Sequence, residues 1–285
     1  MPGVKEIKRR ITSISNIKQI TRAMKLIATA KLQKAQSSLL VFRPYARTLR
    51  EMLGNLSVRC ERELHPLLEQ RPVRKKLILA VTSNRGLCGP FNRSILERAE
   101  KFVKESDLPV CLGLVGKKAA QYFKRREMEI SFAQNLPDPV TYKEVEEITA
   151  KITEAYTNEE CDEVYLLVNK FKNVMVQIPT FVKLLPLSIE KIEQDNQITT
   201  DYLYEPGPEA IFNELLPRYL NVQIYRMLLE STVSEHSARM LAMDNATRSA
   251  NDMIDELTLS FNKARQAGIT KEITEIVTGI GALAE

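Results

Sequence analysis

Residues 3–42 read "GVKEIKRRITSISNIKQITRAMKLIATAKLQKAQSSLLVF". After Gly3 the stretch contains neither glycine nor proline, and apolar side chains fall at Val4, Ile7, Ile11, Ile14, Ile17, Ile20, Met24 and Ile27. Steps of three and four predict a helix with one continuous apolar stripe. The opposite face carries Lys5, Lys8, Arg9, Arg10, Lys18, Arg22, Lys25, Lys31 and Lys34 against the single acid Glu6. A helix of ~40 residues is about 60 Å long, longer than a compact domain is wide. It needs a partner along its length.

The other end of the chain supplies one. Apart from Pro2, every proline lies between Pro44 and Pro217, so both ends lack the strongest helix breaker. Between Arg218 and Glu285 two apolar series run at nearly heptad spacing. The first is Ala250, Ile254, Leu257, Phe261 and Ala264; the second is Ile269, Ile273, Ile276, Ile280 and Leu283. Sustained spacing of this kind in two terminal segments predicts a coiled coil between them. Because the chain leaves and re-enters one middle domain, the pairing is antiparallel. Gly268, Gly279 and Gly281 each weaken helix propensity by roughly 1 kcal/mol, so the last turns are expected to fray or to need a socket.

Inside the C-terminal segment, "SEHSARMLAMDNATRSAND" (234–252) holds a serine, a histidine and two aspartates, the residue types of a hydrolase triad. Helix geometry argues against one. Ser234 and His236 stand ~200° apart around the axis and cannot share a hydrogen bond within one helix. The only other histidine is His65. Ser234, His236 and Asp244 therefore read as polar surface. Ala238, Ala242, Ala246 and Ala250 read as a row of small side chains that lets two helix backbones approach closely.

The middle of the chain differs in kind. Strands are predicted at 75–83, 110–116, 129–133, 163–171 and 174–187, and helices at 91–106, 117–126 and 141–157. Alternating strands and helices predict an α/β layer with a largely parallel sheet and an antiparallel edge. The expected fold class is thus α/β: a long antiparallel coiled coil of the terminal helices plus a central Rossmann-like domain. The expected boundaries are 1–70 for the N-terminal helix, 71–207 for the α/β foot and 208–285 for the C-terminal helix.

Composition narrows the function. The 285 residues carry a formal charge of +5, mildly basic and too weak to establish nucleic-acid binding. Cys60, Cys88, Cys111 and Cys161 form no C-x-x-C pair and read as reduced thiols. With two distant histidines, a zinc site is not expected. "MPGVKEIKRR" lacks a signal-type apolar core, and no run of about eighteen apolar residues exists to span a membrane.

The middle domain offers little site chemistry. "LILAVTSNRGLCGPFN" is strand, glycine turn and helix, the place where nucleotide folds hold phosphate. Its Gly86 and Gly89 are spaced G-x-x-G and not G-x-G-x-x-G. "GLVGKK" also falls short of a P-loop, with Cys111 in the first glycine's place and Lys118 in that of the Ser/Thr. Cys88 lies near a helix N-terminus but has no base nearby in sequence, so it reads as a structural thiol. "KEVEEI" is a solvent face with no spaced acid pair. Poor site chemistry beside rich length and surface features is the profile of a mechanical or interaction component.

Several motifs resemble one family. "IKRRITSISNIKQITRAMKLIATAKLQKAQ" is similar to the first helix of the gamma subunits of F-type ATP synthases. "TSNRGLCGPFN", "NKF" followed by "QIP" and "LLPL", "YLYEP", and the closing segment from Ser234 to Glu285 fall in the family's order. The resemblance covers essentially the whole chain, and "ARM-AM-AT" followed by "ARQA-IT-EI-EIV-G" is its most specific part. Val168 stands where the family often has an aromatic residue.

The resemblance implies a shaft turning inside a ring of three alpha and three beta subunits, with a foot on the membrane-embedded c-ring beside epsilon. Proton flow would turn ring and shaft, and the asymmetric shaft would drive the beta sites through different nucleotide affinities. It implies no catalytic residue, cofactor or metal in this chain. Arg239, Gln266, Thr270 and Glu272 match polar catch contacts with beta. Met24 and the basic residues Arg9, Arg10, Lys18, Arg22 and Lys25 match the meeting with an acidic beta lever. Tyr202, Tyr204 and Glu205 match the contacts with c-ring and epsilon. With no inserted cysteine pair and no transit peptide, a bacterial subunit is expected, held peripherally on the cytoplasmic side of the plasma membrane without direct membrane insertion. Two other readings compete: a basic coiled-coil arm binding nucleic acid, disfavoured because no aromatics interleave the basic stripe, and a dinucleotide-dependent enzyme.

Overall fold

A computed structural model describes residues 4–57, 65–126, 128–188, 205 and 207–283, with side chains described as far as 277. The chain divides into two compact units, Met1–Ala28 with Met240–Glu285, and Thr29–Arg239.

Two long helices are the first and last elements: α1 (Val4–Ser57) and α5 (Pro208–Leu283). Both run through prolines that the sequence reading used as boundaries, Pro44 in α1 and Pro217 in α5. A helical proline forfeits one bond to the carbonyl four residues back. For Pro44 that carbonyl belongs to Leu40, and both residues are exposed, so water can take the bond.

One continuous row of buried and half-buried positions along α1 keeps a strict 4-3 alternation, as a coiled-coil seam requires. In the first unit they are Ile7, Ile11, Ile14, Lys18, Thr21, Lys25 and Ala28. In the second they are Leu32, Ala35, Leu39, Phe42, Ala46, Leu49, Leu53 and Leu56. The expected stripe is therefore corrected: Ile17, Ile20 and Ile27 are 52%, 59% and 58% exposed. The run Ile11, Ile14, Ile17, Ile20 advances by threes, and each such step falls 60° short of a full turn. Three steps carry the apolar row to the opposite side of the helix. Lys18 and Lys25, assigned to the outer face, lie instead in the seam.

On α5 the first unit's seam is Met243, Thr247, Ala250, Ile254, Leu257, Phe261, Ala264 and Gly268, again in 4-3 steps. Thr247 donates to Thr21 at 2.8 Å, and Lys25 donates to Asp244 at 2.6 Å. One helix advances while the other retreats, so the pairing is antiparallel. Beyond Gly268, Ile269, Ile273 and Ile276 are 49%, 57% and 62% exposed, although the helix continues to Leu283. Ile280 and Leu283 lie outside the described side chains.

The second unit contains a five-stranded sheet. Its strands are β1 (Lys76–Val81), β2 (Val110–Val115), β3 (Ile130–Gln134), β4 (Glu163–Phe171) and β5 (Gln177–Leu185). Their order is β3-β2-β1-β4-β5, parallel throughout except for β5, which runs antiparallel to β4. The connections are α2 (Phe91–Glu105), α3 (Lys117–Phe123) and α4 (Tyr142–Thr157). Strand alternation sorts two cores. Ile78 and Ala80 face Ile95 and Ala99 of α2 and Phe123 of α3. Leu77, Leu79 and Val81 face α4 together with Leu49, Leu53 and Leu56 of α1 and Leu216, Leu220 and Leu228 of α5. Each large side chain buried this fully contributes about 1.5–3 kcal/mol. Asp162 ties the sheet's entry edge together. It accepts from the amides of Arg74 (2.7 Å) and Lys75 (3.0 Å) and lies 2.9 Å from Arg71 Nε.

Candidate functional site

The strand–turn–helix after β1 is the place to test for a nucleotide. Its polar groups are used internally. Asn92 Oδ1 accepts from the Ser83 amide at 2.9 Å, and Ser83 Oγ donates to the Arg85 carbonyl at 2.5 Å. Cys88 is 2% exposed and packs with Phe91 and Ala238. Burial pushes its thiol pKa up, against a smaller opposing effect of the Ser83 hydrogen bond. An activated nucleophile needs the opposite shift. The glycine that is sterically required follows β2. Gly116 has φ +96°, and a Cβ there would sit 2.1 Å from the Thr82 carbonyl oxygen.

The stretch 234–252 departs most from its sequence reading. Ser234, His236 and Ser237 are 0%, 2% and 0% exposed, not polar surface. Ser234 Oγ donates to the Asn169 carbonyl and Ser237 Oγ to the Val174 carbonyl, each at 2.9 Å. These two hydroxyls fasten α5 to the β4–β5 hairpin. His236 lies on another side of the helix, with Nε2 3.5 Å from Asp138 Oδ1. Asp138 belongs to the connection between β3 and α4 and also accepts from Lys31 Nζ at 2.6 Å. The contact with His236 is the main cause holding the Asp138 carboxyl far below the usual carboxylate range; its partial burial opposes this, and Lys31 adds to it. Of the alanine row, Ala250 is buried in the coiled-coil seam, Ala238 packs with Cys88 and Phe91, and Ala242 and Ala246 are half-buried.

Arg239 has a side chain only 12% exposed. Its Nη2 lies 2.8 Å from Glu235 Oε1 and its Nη1 3.4 Å from His236 Nδ1. The remaining candidate residues are differently placed. Arg9, Arg10, Arg22, Gln266, Thr270, Glu272 and Glu205 are exposed; Arg10 pairs with Glu6 at 2.8 Å. Met24 is half-buried, as are the seam residues Lys18 and Lys25. Asp244, bonded to Lys25, also accepts from Arg248 at 2.7 Å. Tyr202 and Tyr204 lie outside the described residues.

Sequence reasoning missed the polar partners Asp138, Thr21, Thr247 and Asp244. A signal existed for Thr21, and for its seam neighbour Lys25. Counting back in 4-3 steps from Leu53, Leu49 and Leu39 lands on Lys25 and Thr21. Nothing local marks Asp138, which meets residues 107 and 98 positions away. Among the described residues no helix is long and apolar enough to cross a membrane.

Comparison with known proteins matches these features over almost the entire length. Residues 3–283 fit the family model described as ATP synthase. The ATP synthase gamma chain of Pelotomaculum thermopropionicum is 44% identical over 284 residues, 99% of this chain and 100% of that one. The gamma chain of Moorella thermoacetica is 42% identical over 99% of this chain and 100% of its own. Among solved structures, a chain of the central stalk/c-ring of Tetrahymena thermophila mitochondrial ATP synthase gives a TM-score of 0.62 at 26% identity, over 80% of this chain and 99% of that one. A chain of the Euglena gracilis mitochondrial enzyme (OSCP, F1 and c-ring) gives 0.69 at 18% identity, over 98% and 94%, and shares the fold. With paired terminal helices, a parallel-rich α/β sheet between them and matches along the whole sequence, the chain belongs to the ATP synthase gamma chain family.

Proposed function

We propose that the chain is the central rotor shaft of an F-type ATP synthase. It couples proton flow through a c-ring to ATP synthesis or hydrolysis at beta subunits by turning inside an alpha3beta3 ring. The observation that carries this reading is the match to gamma chains from residue 3 to residue 283, with its antiparallel helix pair and α/β domain. The chain supplies torque and no chemistry; the catalytic residues, nucleotide and metal belong to the ring. Its useful division is 1–70 and 208–285 for the shaft and 71–207 for the foot. It works as a peripheral subunit on the cytoplasmic side of a bacterial plasma membrane.

Within this reading Arg239, Gln266, Thr270 and Glu272 meet loops of beta. Arg9, Arg10, Lys18, Arg22 and Lys25, with Met24, meet an acidic beta lever. Tyr202, Tyr204 and Glu205 meet the c-ring and epsilon. Exposure of Gln266, Thr270, Glu272, Arg9 and Arg22 supports their availability to partners. Each exposed charge pair is worth only ~0–1 kcal/mol, so the basic residues act redundantly.

The test is reconstitution. Purified chain added to a gamma-depleted complex restores coupled ATP synthesis; failure to do so would overturn the assignment. In the same assay Arg239→Ala combined with Gln266→Ala lowers coupling more than Arg9→Ala or Arg22→Ala alone. Equal effects would remove the catch role.

A further inference from the structure

We infer that His236 is a positioning residue for Arg239, fixed in its Nε2–H tautomer between that guanidinium and Asp138. The inference builds on the proposed contact of Arg239 with beta.

A guanidinium carries only donors. Where Arg239 Nη1 approaches His236 Nδ1 at 3.4 Å, Nδ1 must be the acceptor. The ring proton therefore sits on Nε2, which faces Asp138 Oδ1 at 3.5 Å, an acceptor. Both ring nitrogens are satisfied in one tautomer and in no other. At 2% exposure no solvent competes for either. Glu235 and His236 precede Arg239 by four and three residues, so all three share a helix face. Glu235 Oε1 forms an ion pair with Nη2 at 2.8 Å, a nitrogen without a hydrogen bond, while His236 Nδ1 accepts from Nη1. Lys31, from α1, holds Asp138 at 2.6 Å from the far side.

Three segments thus form one chain of contacts that ends at the guanidinium: Lys31 of α1 on Asp138, Asp138 of the β3–α4 connection on His236, and His236 with Glu235 of α5 on Arg239. An arginine held by one hydrogen bond and one ion pair has lost much of its rotamer freedom before a partner arrives. That preorganisation raises the yield of its later contact.

The chain has only two histidines, so imidazole ¹⁵N spectra of the full-length protein are assignable with a His65→Gln variant. The expected spectrum has a protonated Nε2 and a bare Nδ1 for His236; a protonated Nδ1 would overturn the proposal. Substitutions separate the two contacts. Asn places an amide oxygen near the Nδ1 position and can still accept from Arg239. Gln reaches towards Asp138 but offers Arg239 nothing, and Leu offers neither. In reconstituted complexes His236→Leu and His236→Gln are expected to reduce coupled synthesis about tenfold, the low end for one lost hydrogen bond to a charged group. His236→Asn should stay within about twofold of wild type. Should Leu fail to fold, Asn against Gln decides; equal losses for those two would defeat positioning. The Arg239 Nε–H signal gives an independent readout, sharp in wild type and His236→Asn and broadened in His236→Gln. If Arg239→Ala leaves coupling unchanged, the beta-contact reading fails, while the tautomer and the Arg239 signal still decide whether His236 positions it.

Discussion

The same helix, α1, carries one spacing and two chemistries. In the second unit its seam is Leu32, Ala35, Leu39, Phe42, Ala46, Leu49, Leu53 and Leu56, apolar at every step, and its last residues join the sheet's larger core. In the first unit the same 4-3 positions read Ile7, Ile11, Ile14, Lys18, Thr21, Lys25 and Ala28. There three consecutive seam positions are polar, and two of them are bonded to Thr247 and Asp244 on α5. Apolar seams stabilise in proportion to the area they bury, whereas polar ones select a register and direction at little net gain. The contrast teaches that stability is concentrated in the second unit. The first is specified by matched polar pairs and leaves Ile17, Ile20, Ile27, Ile269, Ile273 and Ile276 facing outward.

The largest expected effect tests this contrast directly. Leu53→Ala, at a position 1% exposed, should lower unfolding stability by about 4 kcal/mol in a denaturant titration of the chain. Ile254→Ala, half-buried in the first unit's seam, should lower it by only about 1 kcal/mol. Equal losses would erase the distinction between the units.

Next comes Asp162, a buried polar group of the second unit. Burial pushes its carboxyl up, but the amides of Arg74 and Lys75 and the Arg71 guanidinium more than reverse this, and the net shift is downward from 3.8. A depressed folded value contributes stability above the unfolded value, and that stability is lost as pH falls through the folded one. Asp162→Asn should cost about 3 kcal/mol at pH 7. The gap between variant and wild type should hold down to about pH 4 and shrink below it. A gap that widened on acidification would mean the carboxylate is not held as described.

A smaller effect comes from the Thr21–Thr247 bond. Either Thr→Val change alone removes the cross-helix bond while the remaining hydroxyl keeps a bond within its own helix, Thr21 to the Lys18 carbonyl or Thr247 to the Met243 carbonyl; each should cost about 1 kcal/mol, and both together little more than one alone. A double variant as damaged as the sum of the singles would show that the pair adds stability beyond setting register. For Lys25 and Asp244, exchanging the two residues should recover helicity that either single charge reversal loses, read by circular dichroism.

The smallest effect is chemical. Cys88, Cys111 and Cys161 are all buried, and burial pushes the Cys161 thiol to about 12. None should be alkylated in native protein at pH 8, as peptide mapping would show; rapid labelling of Cys161 would mean the sheet edge opens.

Much of the fold was legible because the signals were local. Continuous apolar runs marked β1 and β2, and strand–helix alternation set the parallel sheet. Ala250, Ile254, Leu257 and Phe261 were read correctly as seam. The isoleucine row in α1 misled because hydrophobicity was followed in place of the 3.5-residue repeat. Those isoleucines do not turn inwards within this chain. Proline misled because a helix breaker is tolerated where water can take the freed carbonyl.

By itself the sequence determined which segments are helix and strand, the class of the fold and the family, since each rests on spacing along the chain. It could not determine what surrounds a side chain. Ser234, His236 and Ser237 look like helix surface until the β4–β5 hairpin and the β3–α4 connection close over them. Lys25 looks like part of a basic face until the antiparallel partner places Asp244 opposite. Burial and pairing depend on segments brought together from 63 to 219 residues away, and only the tertiary structure decides them.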